Sequence, residues 1–345
     1  MASTHQVKII TQDDESVTFE CRSDEDVISA ALRQSIFLMA SCREGGCATC
    51  KGFCAEGDYV LGKFSSQALP YAEEEAGEVL LCSCYPTTDI EVEVPYTYDR
   101  ISFSPEGLSF EAEVIEISQV SSNVMRLLLQ RTGDDKQVKF DSGQFFDLEI
   151  PGTTTTRSYS PANNSNKKGE LEFLIRIVES GKFSTYVKSD AKIGQKIQVK
   201  GASGIFGLKE NGFTPRYFVA GGTGLAPVLS MVRRMHEWSE PQKCVIYFGV
   251  NTEEEVFLLD ELEKLAAEMP TLELRICVWK YAENWHGEKG SVVDILRRDL
   301  SETVAKPDLY LCGPPGMVDA TFAVCEEFGI AKERIYLEKF LPSGS

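Results

Sequence analysis

The sequence predicts a multidomain chain of 345 residues with three fold classes in succession. Residues 1–98 alternate as strands around one amphipathic helix, which predicts a small α+β domain of the β-grasp type. Residues 99–210 hold short strands separated by Gly, Pro and Asn turns, a pattern typical of an antiparallel β-barrel. Residues 211–345 alternate strands with helices and so predict a doubly wound α/β domain with a parallel sheet. We expect three domains with these boundaries.

The first domain begins with two predicted strands in residues 5–20, joined by an acidic turn at Asp13. Residues 23–26 then cap a helix that extends to about Ser35, because Ser and Asp side chains accept hydrogen bonds from the unpaired N–H groups of a first helical turn. Residues 91–94 alternate in polarity and predict a closing strand. Residues 95–107 are expected to form a linker to the barrel.

Three cysteines between that helix and the closing strand have the spacing Cys-x4-Cys-x2-Cys, at Cys42, Cys47 and Cys50. Three thiolates on one short loop, with a fourth from a distant segment, match the plant-type ligation of a [2Fe–2S] cluster. We expect Cys82 to be the fourth ligand and keep Cys84 as the alternative.

Two glycines in the cysteine loop, Gly45 and Gly46, allow the backbone N–H groups to turn toward sulfur charge. Structural zinc sites usually show two Cys-x2–4-Cys pairs, which this loop lacks, so zinc or plain buried thiols are the alternative interpretations. Cys21 and Cys54 are expected to be small buried side chains.

The charge of the chain limits its partners. The formal net charge is −18, which argues against a nucleic-acid partner. Residues 1–98 contain 17 acidic and 6 basic residues, a net of −11, which suits a solvated surface or docking onto a basic partner. The central uncharged stretch, residues 217–232, is too short to span a bilayer, and no secretory signal is visible. We therefore expect a cytoplasmic protein without a membrane partner.

The barrel and the α/β domain have a regular sequence of predicted elements. The barrel strands are expected at residues 112–118, 124–129, 145–150, 171–178 and 196–199. The α/β strands are expected at 217–220, 243–250, 272–278, 308–312 and 334–338, and its helices at 226–238, 257–268, 292–300 and 317–328.

Two glycine turns follow buried strands of the α/β domain and precede helices. Such a turn presents unpaired N–H groups and the positive end of a helix to a pyrophosphate, and both turns fall where open α/β sheets bind ligands. An ordinary tight turn is the alternative. The residues are Gly221, Gly222, Thr223, Gly224, Ala226 and Pro227 in the first turn and Cys312, Gly313 and Pro314 in the second.

Two further groups of residues suit a phosphate and a planar ring. Arg157, Ser158, Tyr159 and Ser160 place a guanidinium, a phenol ring and hydroxyls within four residues of the barrel. A short helix is predicted to start after Gly181. An ordinary strand and an ordinary helix cap are the alternatives. The second group is Gly181, Lys182, Phe183 and Ser184.

Together these segments resemble the ferredoxin–NAD(P)H reductase superfamily over essentially the whole chain. The order of the domains is that of reductases which serve bacterial multicomponent oxygenases. Four segments are similar to the reductases of soluble methane monooxygenases: residues 22–28, 41–51, 157–163 and 338–344. One departure is Gly201-Ala-Ser-Gly204, where relatives commonly have Gly-Pro-x-Gly.

The resemblance implies a [2Fe–2S] ferredoxin domain, an FAD-binding barrel and an NADH-binding domain, in that order. Arg157 and the turn at residues 181–184 would hold the FAD pyrophosphate. Tyr159 would lie against the flavin, with Ser160 near its N5 and Phe340 near the other face. Residues 221–227 would bind the dinucleotide, and Cys312 would lie beside the nicotinamide. The expected catalytic residues are Tyr159, Ser160, Cys312 and Phe340.

The expected function is an NADH-oxidising electron-transfer flavoprotein. Carboxylates at residues 253–255, after a strand, would repel a 2′-phosphate, so NADH is expected rather than NADPH. The resemblance implies a di-iron hydroxylase acting on methane as the acceptor, with a regulatory component as a further partner, and a monomeric reductase. The alternatives are a reductase for a phenol, alkene or aromatic-ring hydroxylase and, from a different class, a zinc or redox sensor.

Overall fold

The computed structural model describes residues 3–40, 43–46, 48–66, 68–103, 109–134 and 136–339. The chain divides into two compact units near residue 109: the first holds the N-terminal region, and the second holds nearly all of the barrel and the α/β region. Cys42, Cys47 and Phe340 lie outside the described residues. Within the described residues, no helix is long and apolar enough to cross a membrane.

The first unit contains a five-stranded sheet with the order β2-β1-β7-β3-β5. β7 runs parallel to β1, with Val7 opposite Ile90, whereas β1 and β2 form an antiparallel hairpin. The predicted β-grasp fold is confirmed. The elements are β1 (Thr4–Ile10), β2 (Ser16–Arg22), α1 (Val27–Arg33), β3 (Lys51–Glu56), β4 (Tyr59–Leu61), α2 (Tyr71–Glu75), β5 (Glu78–Leu80), β6 (Cys84–Pro86) and β7 (Ile90–Glu93).

Local sequence explains the first helix of this unit. The Asp26 carboxylate accepts a hydrogen bond from the Ser29 N–H at 3.0 Å and so caps the first turn of α1, as the sequence predicts. Val27, Ala30 and Ala31 of α1 are fully buried under the sheet.

The residues predicted as a linker are packed where they are described. Tyr96 and Ile101 are buried, and Phe37 and Ser102 exchange two backbone hydrogen bonds of 2.8 and 3.2 Å. These apolar side chains extend the core of the first unit, so residues 95–103 belong to that unit and are not a free connection. Residues 104–108 lie outside the described residues.

The barrel is a six-stranded sheet with the order β11-β10-β13-β8-β9-β12. An antiparallel bridge between Pro161 and Phe173 joins its two outer strands, and the Ala162 N–H donates to the Glu172 carbonyl at 2.7 Å. This contact closes the sheet, as predicted. The elements are β8 (Ser109–Ser121), β9 (Val124–Arg131), β10 (Phe145–Glu149), β11 (Thr156–Tyr159), β12 (Glu170–Arg176), α3 (Lys182–Ser189) and β13 (Lys196–Ser203).

The α/β region is a parallel sheet with the order β17-β16-β15-β14-β18-β19. The order reverses at β14, whose two neighbours are β15 and β18, so the switch point lies between β14 and β18. The elements are β14 (Arg216–Gly221), α4 (Leu225–Glu237), β15 (Cys244–Thr252), α5 (Leu259–Glu268), β16 (Leu272–Lys280), β17 (Glu288–Lys289), α6 (Val292–Glu302), β18 (Asp308–Gly313), α7 (Pro315–Glu327) and β19 (Ile335–Lys339).

Candidate functional site

Two of the four predicted cluster ligands are described, and the fold brings their segments together. Cys50 and Cys82 are buried, with 3% and 7% of their surfaces exposed. The Leu81 N–H donates to the Cys50 carbonyl at 2.9 Å, which joins the cysteine loop to the distant segment. Within the described residues no group of three metal-binding side chains is present, because Cys42 and Cys47 lie outside them.

The cysteine loop has the tight path that its glycines predict. Gly45 has φ +69°, and a Cβ there would lie 2.7 Å from the Lys63 carbonyl oxygen. Arg43 and Ala48 also have positive φ, at 56° and 59°. Three left-handed residues within six positions make a loop that folds back on itself, a conformation in which backbone N–H groups can point inward.

The alternative ligand, Cys84, lies in a different environment. It is fully buried in β6 opposite Leu61, and burial raises the pKa of its thiol. Cys82 lies instead in the short 3-10 turn at Leu81–Ser83, whose first residue bonds to Cys50. The geometry favours Cys82. Cys21 is fully buried as predicted, whereas Cys54 is half-buried, which corrects the prediction for that residue.

The two predicted glycine turns of the α/β region meet at the switch point. A Cβ on Gly224 would lie 2.2 Å from the Cys312 carbonyl oxygen, and one on Gly221 would lie 2.8 Å from the Pro314 ring. The backbones therefore touch, with no room for side chains between them. We call residues 221–227 and 312–314 the nucleotide edge.

A helix start lies at the nucleotide edge. Residues Gly222–Gly224 form a 3-10 turn that leads directly into α4, and Pro227 lies in the first turn of α4. The N-cap, Gly224, has no side chain to satisfy the first N–H groups of the helix. These donors and the helix dipole suit an anion such as a pyrophosphate.

The barrel places the predicted flavin residues on β11. The Tyr159 ring packs against Phe183 at a centroid distance of 5.0 Å, and burial raises the pKa of Tyr159 well above its usual value. The Ser158 hydroxyl donates to Asp147 at 2.5 Å, and the Arg157 guanidinium donates to the Thr156 carbonyl at 2.7 Å. Tyr159 is therefore a neutral, fixed ring surface.

The predicted short helix, α3, starts directly after Gly181. The Ser184 hydroxyl accepts from the Val178 N–H at 3.2 Å and lies within reach of the Val178 and Gly181 carbonyl oxygens. A Cβ on Gly181 would lie 2.6 Å from this hydroxyl. Ser184 thus organises the turn, and the backbone N–H groups of the turn are the donors that suit phosphate.

A carboxylate joins Ser160 and Cys312. The register of β18 and β19 places Glu338 directly beside Cys312, and the Ser160 hydroxyl donates to the Glu338 carboxylate at 3.4 Å. Cys312 is fully buried; burial, and then the charge of Glu338, raises the pKa of its thiol well above the ordinary value. Cys312 is therefore a thiol and not a thiolate.

The segment predicted to select the nicotinamide dinucleotide follows β15. The Glu255 carboxylate accepts from the Asn251 N–H at 3.0 Å, and Glu253 accepts from the Ala282 N–H at 2.7 Å. Both carboxylates are held at the same end of the sheet as the nucleotide edge. Trp279 and Lys280, at the end of the adjacent strand β16, are exposed and were not predicted as site residues.

Three protein-family models match consecutive parts of the chain. They are the 2Fe-2S iron-sulfur cluster binding domain over residues 10–87, the oxidoreductase FAD-binding domain over 111–207 and the oxidoreductase NAD-binding domain over 218–322. Methane monooxygenase component C of Methylosinus trichosporium is 46% identical over 299 residues, which cover 86% of this chain and 87% of that protein. The chain belongs to the ferredoxin–NAD(P)H reductase superfamily.

Two further relatives cover almost the whole chain. The reductase component of propane 2-monooxygenase from Mycolicibacterium goodii is 32% identical and matches 99% of this chain and 98% of that protein. The crystal structure of a cytochrome P450 reductase from Amycolatopsis matches with a TM-score of 0.76 at 25% identity, covering 97% of this chain and 99% of that one. This superfamily member is an oxidoreductase with NAD, FAD and a [2Fe–2S] cluster as its cofactors.

The described residues fit these cofactors. The described thiols of Cys50 and Cys82, whose segments are joined by the Leu81–Cys50 hydrogen bond, suit an iron–sulfur cluster, because soft thiolate ligands select such metals. Cradles that a Cβ would fill, at Gly221 and Gly224, suit the close approach of a dinucleotide backbone. The partly buried ring of Tyr159 suits a planar isoalloxazine.

Glu338 is the site residue that sequence reasoning did not select. The resemblance uses it only as part of a terminal motif, because nothing in the neighbouring sequence distinguishes it from the other glutamates of the chain. Its position depends on the pairing of β19 with β18, which brings residue 338 beside residue 312.

Proposed function

We propose that this chain oxidises NADH and delivers electrons singly to a di-iron hydroxylase that acts on methane. The observation that carries the proposal is the 46% identity with methane monooxygenase component C over 86% of the chain. When bound, FAD accepts a hydride as a two-electron unit, and the [2Fe–2S] cluster passes electrons one at a time. The residues of the chain supply binding, orientation and exclusion of water.

Arg157 and the turn before α3 bind the FAD pyrophosphate in this proposal. A guanidinium matches two phosphate oxygens with parallel hydrogen bonds, and the start of α3 adds backbone N–H donors. Tyr159 would pack against the flavin, with Ser160 near its N5. Phe340 is proposed to cover the other face; it lies outside the described residues.

The nucleotide edge binds the dinucleotide in this proposal, with Cys312 beside the nicotinamide. Gly221, Gly222, Thr223 and Gly224 present N–H groups to the pyrophosphate. Because the Cys312 thiol is neutral, it contributes a small uncharged surface and no general base. These residues would contribute the alignment of nicotinamide C4 with flavin N5, and no protein group would need to transfer a proton.

NADH is the proposed reductant because Glu253 and Glu255 are fixed beside the expected ribose position by the Ala282 and Asn251 N–H groups. A carboxylate accepts a hydrogen bond from a ribose hydroxyl and repels a 2′-phosphate. Steady-state reduction of a dye by the two nucleotides tests this. We expect kcat/KM to be at least about tenfold higher for NADH, and a higher value for NADPH would contradict the assignment.

The acidic first unit supports docking onto a basic surface of the hydroxylase. The net charge of −11 over residues 1–98 would accelerate association at low salt. We propose a monomeric reductase and a regulatory component as a further partner of the same assembly. The rate of electron delivery to the hydroxylase should fall as ionic strength rises, while NADH reduction of the flavin should change little.

The acceptor is tested by pairing the purified holoprotein with candidate hydroxylases under methane, propane and phenol. NADH-dependent formation of methanol with the methane hydroxylase is the expected result. The propane relative, which matches 99% of the chain, makes a propane hydroxylase the second candidate. Product with the propane pair and none with the methane pair would replace the first proposal by the second.

A further inference from the structure

Four charged side chains form a closed ring between the barrel and the α/β region. Arg126 lies on β9 and Glu172 on β12, whereas Arg233 lies on α4 and Glu261 on α5. We call this set the arginine–glutamate ring. None of its four members is among the residues predicted to touch either nucleotide, and the proposed function does not use it.

The ring is closed by four ion pairs. Arg233 contacts the Glu172 carboxylate at 2.7 Å and the Glu261 carboxylate at 2.8 Å. Arg126 lies 2.9 Å from each of the same two carboxylates. Two of these pairs, Arg233–Glu172 and Arg126–Glu261, cross from one region to the other. The Arg126 Nε and Glu172 Oε1 atoms are close, but their angle is not that of a hydrogen bond.

Glu172 is the member of the ring that is shielded from water. Only 5% of the Glu172 side chain is exposed, against about a quarter of each arginine and 38% of Glu261. A buried carboxylate that loses one of its cations keeps an uncompensated charge, which is strongly unfavourable. The ring therefore opposes any sliding that would separate Glu172 from Arg233.

Glu172 is linked to the flavin strand through the backbone. Its carbonyl accepts from the Ala162 N–H at 2.7 Å, and its N–H donates to the Asn163 side chain at 2.9 Å. Arg233 also donates to the Ala162 carbonyl at 3.0 Å. Ala162 comes two residues after Ser160, so the ring holds the end of the segment that carries Tyr159 and Ser160.

Arg233 is linked to the nucleotide edge through α4. It lies six residues after Pro227 on the same helix, about 9 Å along the helix axis. A second contact on this helix supports the same alignment: the Ser230 hydroxyl donates to the Asn163 carbonyl at 2.8 Å. The helix α4 thus follows the turn proposed to bind the dinucleotide, and its side chains Ser230 and Arg233 hydrogen-bond to the segment that follows the flavin strand.

We infer that the arginine–glutamate ring sets the alignment between the flavin strand and the nucleotide edge, with Arg233 as the positioning residue for hydride transfer. Hydride transfer depends steeply on the distance and angle between the reacting atoms, so a small displacement of α4 slows the reaction without removing a binding group. Arg233 itself is not among the residues proposed to contact the substrate or the cofactor.

Arg233→Lys in the holoprotein tests this inference. Lysine keeps the charge but cannot hold both carboxylates and the Ala162 carbonyl in one planar fork. In anaerobic stopped-flow experiments, we expect NADH reduction of the flavin to slow by about tenfold or more, while the dissociation constant for NADH changes by less than about threefold. The charge-transfer absorption between nicotinamide and flavin should weaken, and reduction by dithionite should be unchanged.

Arg297→Lys is the matched control, because Arg297 pairs with Glu327 at 3.1 Å on the exposed surface of the same region. This control should keep the wild-type flavin reduction rate and charge-transfer absorption. A lower melting temperature of Arg233→Lys with unchanged flavin reduction and absorption would make the ring a structural element only and overturn the inference.

Glu261→Gln tests the same inference if Arg233→Lys does not fold. Glu261 is the most exposed member of the ring, and glutamine keeps its shape while it removes one charge. We expect a weaker charge-transfer absorption and about threefold slower flavin reduction with wild-type FAD content. Wild-type values for both properties would overturn the inference.

Discussion

The cluster region and the nucleotide edge are built in opposite ways. In the cluster region, three of the four expected ligands lie within nine residues, and one backbone hydrogen bond from Leu81 to Cys50 joins the fourth segment. At the nucleotide edge, two turns almost 90 residues apart in sequence meet only because β14 and β18 are neighbours. The cluster region therefore depends mainly on its cysteine ligands, whereas the nucleotide edge depends on the packing of the parallel sheet.

The largest effect is expected at the cluster. Cys50→Ser should remove the [2Fe–2S] centre and nearly all electron delivery to a one-electron acceptor, since an intact ligand set holds the cluster. Flavin reduction by NADH should stay within about twofold of wild type, because the two units have separate cores. Iron analysis and stopped-flow absorbance measure the two properties.

Cys54→Ser is the control, since Cys54 lies on β3 of the same unit and is not an expected ligand. It should keep wild-type iron content. If Cys50→Ser retained its iron, the assignment of that ligand would be wrong; if it lost rapid flavin reduction, the two regions would not be independent.

The close backbone contact between Gly224 and Cys312 makes the nucleotide edge sensitive to substitution. Gly224→Ala would place a methyl group 2.2 Å from the Cys312 carbonyl, so the two turns must separate. We expect a loss of about 1–3 kcal/mol in the free energy of unfolding and much weaker NADH binding, with the iron content unchanged. Denaturant unfolding and NADH titration provide the measurements.

Gly316→Ala offers the contrast, because no atom lies within 4 Å of the new methyl group. It lies in α7, where alanine is the better helix former, so stability should stay the same or rise by up to about 1 kcal/mol. If Gly224→Ala and Gly316→Ala had the same unfolding free energy and the same NADH affinity, the close approach of the two turns would not be what forms the nucleotide edge.

The proposed FAD site lies between these two cases, because the residues proposed to bind FAD all lie in the barrel and more than one of them would contact it. Arg157→Ala should weaken FAD binding by about tenfold or more through loss of a charge-assisted phosphate contact. Arg176→Ala, at an exposed arginine of β12, should leave FAD affinity unchanged. Dialysis followed by flavin fluorescence measures retention, and unchanged affinity in Arg157→Ala would remove its phosphate role.

The smallest effect concerns the pH dependence of stability. The folded pKa of the Cys312 thiol is raised, so above the ordinary thiol pKa the unfolded chain loses a proton that the folded chain retains. Stability from this group is therefore present at neutral pH and lost as pH rises, with a slope of up to about 1.4 kcal/mol per pH unit.

Cys312→Ala removes this part of the pH dependence of stability. The other buried cysteines add the same pH dependence to the wild type and to Cys312→Ala, so it cancels in the difference between them. All three tryptophans lie in the α/β region, so their fluorescence reports its unfolding. The difference in unfolding free energy between wild type and Cys312→Ala should shrink between pH 8 and pH 10. A constant difference would mean that the thiol is not shielded.

Local patterns in the sequence predicted much of the fold, and the failures share a cause. The α/β strands and helices are long and strongly periodic, so they appear close to their predicted bounds. β11 is missing from the predicted barrel strands, and a strand there was kept only as an alternative, because four residues between turns show no periodicity. Residues 95–103 were assigned to a linker, because burial of Tyr96 and Ile101 depends on the rest of the core.

The same distinction holds for the sites. The glycine turns and the cysteine spacing are visible along the chain, since their chemistry is local. Glu338 and the arginine–glutamate ring depend on register between distant strands and on the packing of α4 and α5, which no local pattern encodes. The roles of Arg157, the Gly181–Ser184 turn and Phe340 remain predictions of the resemblance.

Anaerobic titration of the holoprotein with NADH, followed by optical absorption and electron paramagnetic resonance, is the decisive measurement for the path from NADH through FAD to the cluster. We expect the flavin to bleach, a reduced [2Fe–2S] signal to appear, and about 1.5 equivalents of NADH to complete the reduction, because FAD takes two electrons and the cluster one. A flavin that bleaches with no iron–sulfur signal, or a protein that NADH does not reduce, would contradict it.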